Sequence, residues 1–149
     1  MSSTPSSKTY DLVADCTGPK SATVTVRDLA VEVDAPEASG GRNRGSTPAE
    51  YLLATLAGCV NVTGIHVARE MGIDLDITAV RVSGDLDVST FRTGEGDRAG
   101  YERIGVSVEV DTTADAAEID AWRRETERCN PVLDTIACPT PVEVSISTA

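Results

Sequence analysis

The stretch PAEYLLATLAGCVNVTGIHVAREM, from Pro48 to Met71, constrains the fold of this chain more than any other. Pro48 suits the first helical turn, where its missing N–H is not needed, and Thr47 with Glu50 has the spacing of a capping box. The run that follows is mostly apolar, and Gly72 suits the position just after a helix end. We therefore predict one long apolar helix over residues 48–71.

Alternating apolar and polar residues on both sides of this helix predict antiparallel strands. The predicted strands cover residues 10–17, 21–34 (bent into a hairpin at Arg27–Leu29), 75–88, 101–112 and 140–148. Two further helices are predicted, over residues 114–128 and from Asn130–Pro131 to before Pro139. Hairpins interrupted by helices indicate the α+β fold class.

The length of 149 residues fits a single domain with a real core, which we place at residues 9–149 after a disordered N-terminus of residues 1–8. No apolar run approaches the ~20 residues that span a bilayer, and no segment resembles a signal peptide. We therefore expect a cytoplasmic protein that does not insert into a membrane.

The surface is strongly acidic, with 24 Asp and Glu against 13 Lys and Arg and a net charge of −11. Phosphate groups would be repelled by such a surface, which argues against nucleic acid and anionic membranes as partners.

The chemistry candidates are the four cysteines, Cys16, Cys59, Cys129 and Cys138. Cys59 lies on the long helix, and a cysteine on an apolar helix is usually a small core residue. However, Thr55, Thr63 and His66 share its stripe at about 100° per residue, as in the lining of a pocket. Cys16 and Cys138 fit a structural role, and a disulfide framework is not expected in a cytoplasmic chain.

Cys129 directly precedes Asn130–Pro131, the predicted start of a short helix. Free N–H groups and the helix dipole at such a position favour the thiolate, and Arg128 adds positive charge. From position alone, Cys129 is therefore predicted to be the more acidic thiol, with a cap neighbour of ordinary reactivity as the alternative.

Taken together, two stretches resemble the signature of the OsmC/Ohr family. GGRNRGSTPAEYLLATLAGC is similar to its glycine-rich loop and cysteine-bearing helix, and RETERCNPVLDTIACPTPVEV is similar to its second cysteine site. VRDLAVEVDAPEASGG resembles the OsmC-like branch of the family. The resemblance covers residues 10–147 and implies an antiparallel sheet wrapped around a long central helix in an intertwined homodimer.

The resemblance also implies a cysteine-based peroxidase of the oxidative-stress response that needs no metal, haem or flavin. Cys59 would attack the hydroperoxide and become a sulfenic acid, Cys129 would condense with it to a disulfide, and an external dithiol, such as a lipoyl protein, would reduce that bond. An arginine would activate Cys59; Arg27 is the first candidate, with Arg42 and Arg44 as alternatives.

One position departs from the family pattern. The hydroperoxidases carry a glutamate directly after the helix-starting proline, where this chain has Ala49, and its acid comes one residue later as Glu50. On a helix Glu50 points away from Cys59, so we assign it to the capping box. This departure keeps open the alternative of a non-enzymatic dimer that binds a small apolar ligand in its interface pocket. A second alternative is a thiol–disulfide or sulfur-transfer protein that uses the same two cysteines on a substrate other than a peroxide.

Overall fold

The computed structural model describes residues 7–148 and shows a mixed α+β chain with antiparallel sheets and a long helix. The strands are β1 (Val13–Gly18), β2 (Ser21–Val26), β3 (Leu29–Val33), β4 (Leu75–Leu86) and β5 (Tyr101–Thr112). The helices are α1 (Pro48–Met71), α2 (Ser89–Thr93), α3 (Ala116–Cys129) and α4 (Pro131–Ala137). The predicted α+β class is confirmed.

The chain forms two compact units, one up to Tyr51 and one from Leu52 onward. Our prediction of a single domain over residues 9–149 stays a prediction. Most of the N-terminal segment that we expected to be disordered, residues 1–6, lies outside the described residues.

The first unit contains a three-stranded antiparallel sheet in the order β1-β2-β3. The predicted hairpin turn is present: Arg27, with φ of 55°, and Asp28 join β2 to β3. Tyr51, in the first turns of α1, donates a hydrogen bond of 2.8 Å from its hydroxyl to the carbonyl oxygen of Glu32. This bond fixes the start of α1 to β3.

The start of α1 is capped as the sequence predicts. The backbone N–H of Thr47 donates to Glu50 Oε2 at 2.7 Å, and the N–H of Glu50 donates to Thr47 Oγ1 at 3.3 Å. These reciprocal bonds satisfy two N–H groups that a helix start leaves free. The predicted role of Glu50 as the capping acid is therefore confirmed. The hydrogen bonds from Thr47 also lower the pKa of Glu50.

The core of the second unit lies where α1 and α3 meet the β4–β5 hairpin. Val67, Ala68, Leu75 and Trp122 form its buried cluster. Trp122 Nε1 donates a hydrogen bond of 2.8 Å to the carbonyl oxygen of Gly64 on α1. A side chain at Gly64 would begin 3.0 Å from the Trp122 ring, so the glycine allows α3 to approach α1 closely.

The predicted closing strand over residues 140–148 is wrong for the chain alone. The described residues 139–148 are not part of any strand, and Val142, Val144 and Ile146 are 81 to 90% exposed. A strand needs a neighbour for its backbone hydrogen bonds, and this segment has none within the described part of the chain.

The long loop that joins β4 to β5 contains the short helix α2, which was not predicted from the sequence.

By length and composition alone, α1 is long and apolar enough to cross a membrane. Our prediction that no apolar run approaches the length of a membrane span is therefore wrong by these two criteria. The observation is weak evidence for a span, because core helices of soluble proteins share these properties. Here α1 buries Leu56, Val60 and Val67 inside the protein.

Candidate functional site

Cys59 lies near the middle of α1 and is half-buried. Its sulfur is 3.8 Å from Oγ1 of Thr63, one turn later on the same helix, and Thr63 itself is buried. Of the predicted polar stripe, Thr63 is therefore the residue that contacts the thiol. Thr55 bonds instead to the carbonyl oxygen of Leu52, and His66 is exposed.

Cys129 is the last residue of α3 and is exposed. Its sulfur donates a hydrogen bond to Glu125 Oε1 at 3.4 Å and accepts one from Arg128 Nη2 at 3.2 Å. Arg128 also donates two hydrogen bonds to the carboxylate of Glu125, from Nε to Oε2 at 2.9 Å and from Nη2 to Oε1 at 2.5 Å. The thiol, the carboxylate and the guanidinium thus form one connected cluster.

The charges of this cluster act on the thiol in opposite directions. The hydrogen bond from Arg128 holds the pKa of Glu125 down at about 2, so Glu125 is ionised at neutral pH. The hydrogen bond to this carboxylate raises the pKa of the Cys129 thiol, burial adds to the rise, and Arg128 only partly opposes it. The prediction that position makes Cys129 unusually acidic is therefore wrong.

The sequence contained a signal for this result. Glu125 precedes Cys129 by four residues, the spacing that places two side chains together on a helix. Moreover, Cys129 ends α3, where free carbonyl groups disfavour an anion, before Asn130 starts α4.

Cys129 and His66 line the same open groove of about 570 Å³. The groove brings the chain's single histidine, on α1, to the side of α3 that carries the cluster. Its other lining residues are Val67, Glu70, Met71, Ala121, Arg124, Glu125 and Arg128. Cys59 is not part of this lining, and both cysteines are free thiols.

The candidate arginines all lie in the first unit and are exposed. Arg27 occupies the β2–β3 turn, and its side chain has no ion-pair partner among residues 7–148. Arg42 and Arg44 lie in the loop that leads to α1.

Asp34 organises this arginine-bearing loop, a role that sequence reasoning missed. It is only 2% exposed, and its carboxylate accepts backbone N–H bonds from Ala35 at 2.8 Å, Arg42 at 3.0 Å and Arg44 at 3.1 Å. These bonds, led by that from Arg44, lower the pKa of Asp34 despite the opposing effect of its burial. The loop therefore folds around one buried carboxylate.

The two remaining cysteines lie apart from these contacts. Cys16 is exposed on β1, and Cys138 caps α4 with its sulfur 3.6 Å from Asp134 Oδ1. The charge of Asp134 raises the pKa of Cys138. Within the described residues, no group of three or more His, Cys, Asp or Glu side chains is arranged to hold a metal ion.

Solved structures with the same fold cover most of this chain. An OsmC-like protein from Mycoplasma pneumoniae has a TM-score of 0.75 at 21% identity, with 87% of this chain and 88% of that chain covered. The organic hydroperoxide resistance protein OhrB of Bacillus subtilis has a TM-score of 0.54 at 25% identity, with 85% and 89% covered. A search of curated proteins gave no match.

The family comparison agrees with the fold. The model of the family described as OsmC-like protein matches residues 39–145, which include α1 with Cys59 and the α3–α4 junction with Cys129. This match extends over more than half of the sequence. The chain therefore belongs to the OsmC-like family.

Proposed function

We propose that this protein is a cysteine-based peroxidase that reduces organic hydroperoxides, with Cys59 as the attacking thiol and Cys129 as the resolving thiol. Family membership and the similarity to organic hydroperoxide resistance proteins support this activity. The observation that carries the division of roles is the bond from Cys129 to Glu125, which raises the pKa of Cys129 and so favours the protonated thiol. A thiol held in this form is less suited to the first attack.

In the first proposed step, the Cys59 thiolate attacks the outer oxygen of the hydroperoxide. The O–O bond breaks, the sulfur becomes a sulfenic acid, and the other oxygen leaves as an alcohol after taking a proton. In the second step, the Cys129 sulfur attacks the Cys59 sulfur and displaces hydroxide, which takes the thiol proton to form water.

An external dithiol completes the cycle. It reduces the Cys59–Cys129 disulfide by thiol–disulfide exchange and is itself oxidised to a disulfide. The proposed cycle uses no metal or organic cofactor, and the proposed location is the cytoplasm.

Activation of Cys59 requires a positive charge, which we assign to Arg27, with Arg42 and Arg44 as alternatives. A guanidinium near a thiol stabilises the thiolate and so lowers the pKa of the thiol. None of these three arginines forms an ion pair with any residue of the range 7–148, so each guanidinium is available for this role.

The functional form is proposed to be an intertwined homodimer. In residues 7–51, Asp34 is the one side chain that is buried, so sheet β1-β2-β3 has no buried apolar core of its own within the described chain. Leu12, Val13 and Leu29 are each more than half exposed. A small sheet needs a covered apolar face to be stable, and a second copy of the chain would supply that cover.

Thiol counting tests the proposed activity. The reduced protein is treated with one equivalent of cumene hydroperoxide, free thiols are counted, and disulfides are mapped by mass spectrometry. We expect rapid loss of two thiols and a Cys59–Cys129 link. Cys59→Ser should abolish the reaction, whereas Cys129→Ser should leave a sulfenic acid that dimedone traps at Cys59.

The double variant Cys16→Ser/Cys138→Ser is the matched control, because it retains only the two proposed thiols and should react like the native chain. Thiols that stay reduced in hydroperoxide would contradict the peroxidase. A Cys59–Cys129 link that forms only with a disulfide oxidant would instead favour thiol–disulfide exchange.

A further inference from the structure

A second cavity, distinct from the groove at Cys129, lies inside the second unit. It has a volume of about 250 Å³ and is walled by residues of α1, β5, α3 and α4. Most of this wall is apolar: Val60, Val106, Val108, Val110, Ile119 and Trp122. Arg123 and Glu127, which form an ion pair and are about half exposed, mark the side on which the cavity opens to solvent.

Two buried polar side chains interrupt the apolar wall. Asn130 is 1% exposed and Thr126 is 6% exposed, and both line the cavity. Nδ2 of Asn130 and Oγ1 of Thr126 have no hydrogen-bond partner among residues 7–148. Leaving such groups unpaired costs about 1–3 kcal/mol each, so native proteins normally provide a partner.

The orientation of the Asn130 amide is fixed by the chain itself. Its Oδ1 accepts the backbone N–H of Leu133 at 2.9 Å and so caps the start of α4. The amide oxygen is therefore engaged, and the NH₂ group is the part that lacks a partner. A hydroxyl can donate as well, so both orphaned groups are able to serve one acceptor oxygen.

The size and lining of the cavity define the ligand. Its volume of about 250 Å³ is below the range of drug-sized sites. The valine-rich wall disfavours an ionised group, because nothing there would compensate its lost hydration. A short-chain or single-ring compound with one acceptor oxygen fits these limits.

We propose that this cavity binds a small, uncharged, largely apolar molecule whose carbonyl-type oxygen accepts hydrogen bonds from Asn130 and Thr126. The inference does not depend on the proposed peroxidase activity, since neither Cys59 nor Cys129 lines the cavity. The proposed ligand site at the α3–α4 junction is therefore separate from the two cysteines of the proposed peroxidase.

The chain contains its own reporter for this site. Trp122 is the single tryptophan of the sequence and forms part of the cavity wall. The full-length protein is titrated with cyclohexanone and, as a matched hydrocarbon, with cyclohexane, and the Trp122 emission maximum is recorded. We expect saturable binding of cyclohexanone, with cyclohexane about tenfold weaker because it leaves the two donors unpaired.

Asn130→Asp tests the donor directly. The aspartate keeps an oxygen to accept the Leu133 N–H but has no N–H to offer, so we expect cyclohexanone affinity to fall about tenfold. Cyclohexanol, which can donate to the new carboxylate, should then bind more tightly than the ketone. Thr126→Val, which preserves side-chain shape, is the second variant and should weaken cyclohexanone binding several-fold.

The proposal is overturned if cyclohexanone gives no saturable shift, or if it binds no better than cyclohexane to the native chain. It is equally overturned if a folded Asn130→Asp protein retains the native preference for the ketone. Circular dichroism confirms that each variant is folded. The comparison of the two probes on the native chain needs no variant, so the test holds even if Asn130→Asp does not fold.

Discussion

The thiol of Cys129 donates a hydrogen bond to the carboxylate of Glu125, one helical turn earlier on α3, at 3.4 Å. Arg128 binds both partners, so the protonation of this cysteine is controlled by two charges of opposite sign. The two charged groups that shift the pKa of Cys129 therefore belong to its own helix rather than to the start of the next one.

Glu125→Gln should make Cys129 more reactive. Loss of the carboxylate removes the main cause of the raised pKa of Cys129 and leaves Arg128 to favour the thiolate. We expect the rate of iodoacetamide labelling of Cys129 at pH 7 to rise several-fold, measured on its peptide by mass spectrometry. Glu127→Gln is the matched control, because Glu127 pairs with Arg123 instead. Equal labelling rates in both variants would contradict the assigned role of Glu125.

Alanine at two glycines of α1 should have opposite effects on stability. At Gly64 a Cβ would lie 2.8 Å from Ile77 Cδ1 and 3.0 Å from the Trp122 ring, and such overpacking costs about 1–3 kcal/mol. At Gly58 it would meet nothing within 4 Å among the described residues, so the gain in helix propensity of about 0.5–1 kcal/mol remains. Urea unfolding of Gly64→Ala and Gly58→Ala measures both changes. A destabilised Gly58→Ala would indicate that a partner packs there.

The loop around Asp34 should be sensitive to acid. Because the pKa of Asp34 is lowered in the folded chain, its contribution to stability is complete above its unfolded pKa of about 3.9 and is lost as the pH falls through the folded value. We expect faster hydrogen exchange at the Ala35, Arg42 and Arg44 amides in Asp34→Asn at pH 7, and a weaker pH dependence of stability below pH 5. Glu37→Gln, at an exposed position of the same loop, should behave like the native chain. Unchanged exchange in Asp34→Asn would show that the carboxylate does not hold the loop.

Thr126→Val should stabilise the protein when no ligand is bound. The substitution preserves shape and removes a buried hydroxyl without a partner among the described residues, for an expected gain of about 1 kcal/mol in the free energy of unfolding. Thr135→Val is the control, because that exposed hydroxyl donates to the Pro131 carbonyl at 2.7 Å and its loss should bring no gain. A loss of stability in Thr126→Val would mean that the hydroxyl has a partner in the assembled protein.

The parts of the fold that depend on neighbouring residues in sequence could be predicted. The bounds of α1 follow from the Thr47–Glu50 cap and from Gly72, and the start of α4 follows from Asn130–Pro131. The turn at Arg27–Asp28 is equally local. In these cases the residues that decide the structure lie within a few positions of one another.

The parts of the fold and of the candidate site that depend on contacts between residues distant in sequence could not be predicted. The alternation of residues 140–148 resembles a strand, but a strand forms only beside another one. The residues next to Asp34 in the sequence do not predict its role, because two of the N–H groups whose hydrogen bonds it accepts, those of Arg42 and Arg44, lie eight and ten residues later. The pairing of Cys59 with Cys129 rests on the family resemblance and stays a proposal, since the structure shows both as free thiols.

Residues 139–148, which follow α4 without forming a strand, affect how the protein behaves during refolding. Val142, Val144 and Ile146 alternate along a stretch whose backbone pairs with no strand of residues 7–148 and could pair with an exposed strand edge. Such a stretch is a template for aggregation unless a correct partner occupies it first. The net charge of −11 opposes random clustering of chains, but high salt would screen that repulsion. Dilute, low-salt refolding should therefore give the largest yield of soluble protein.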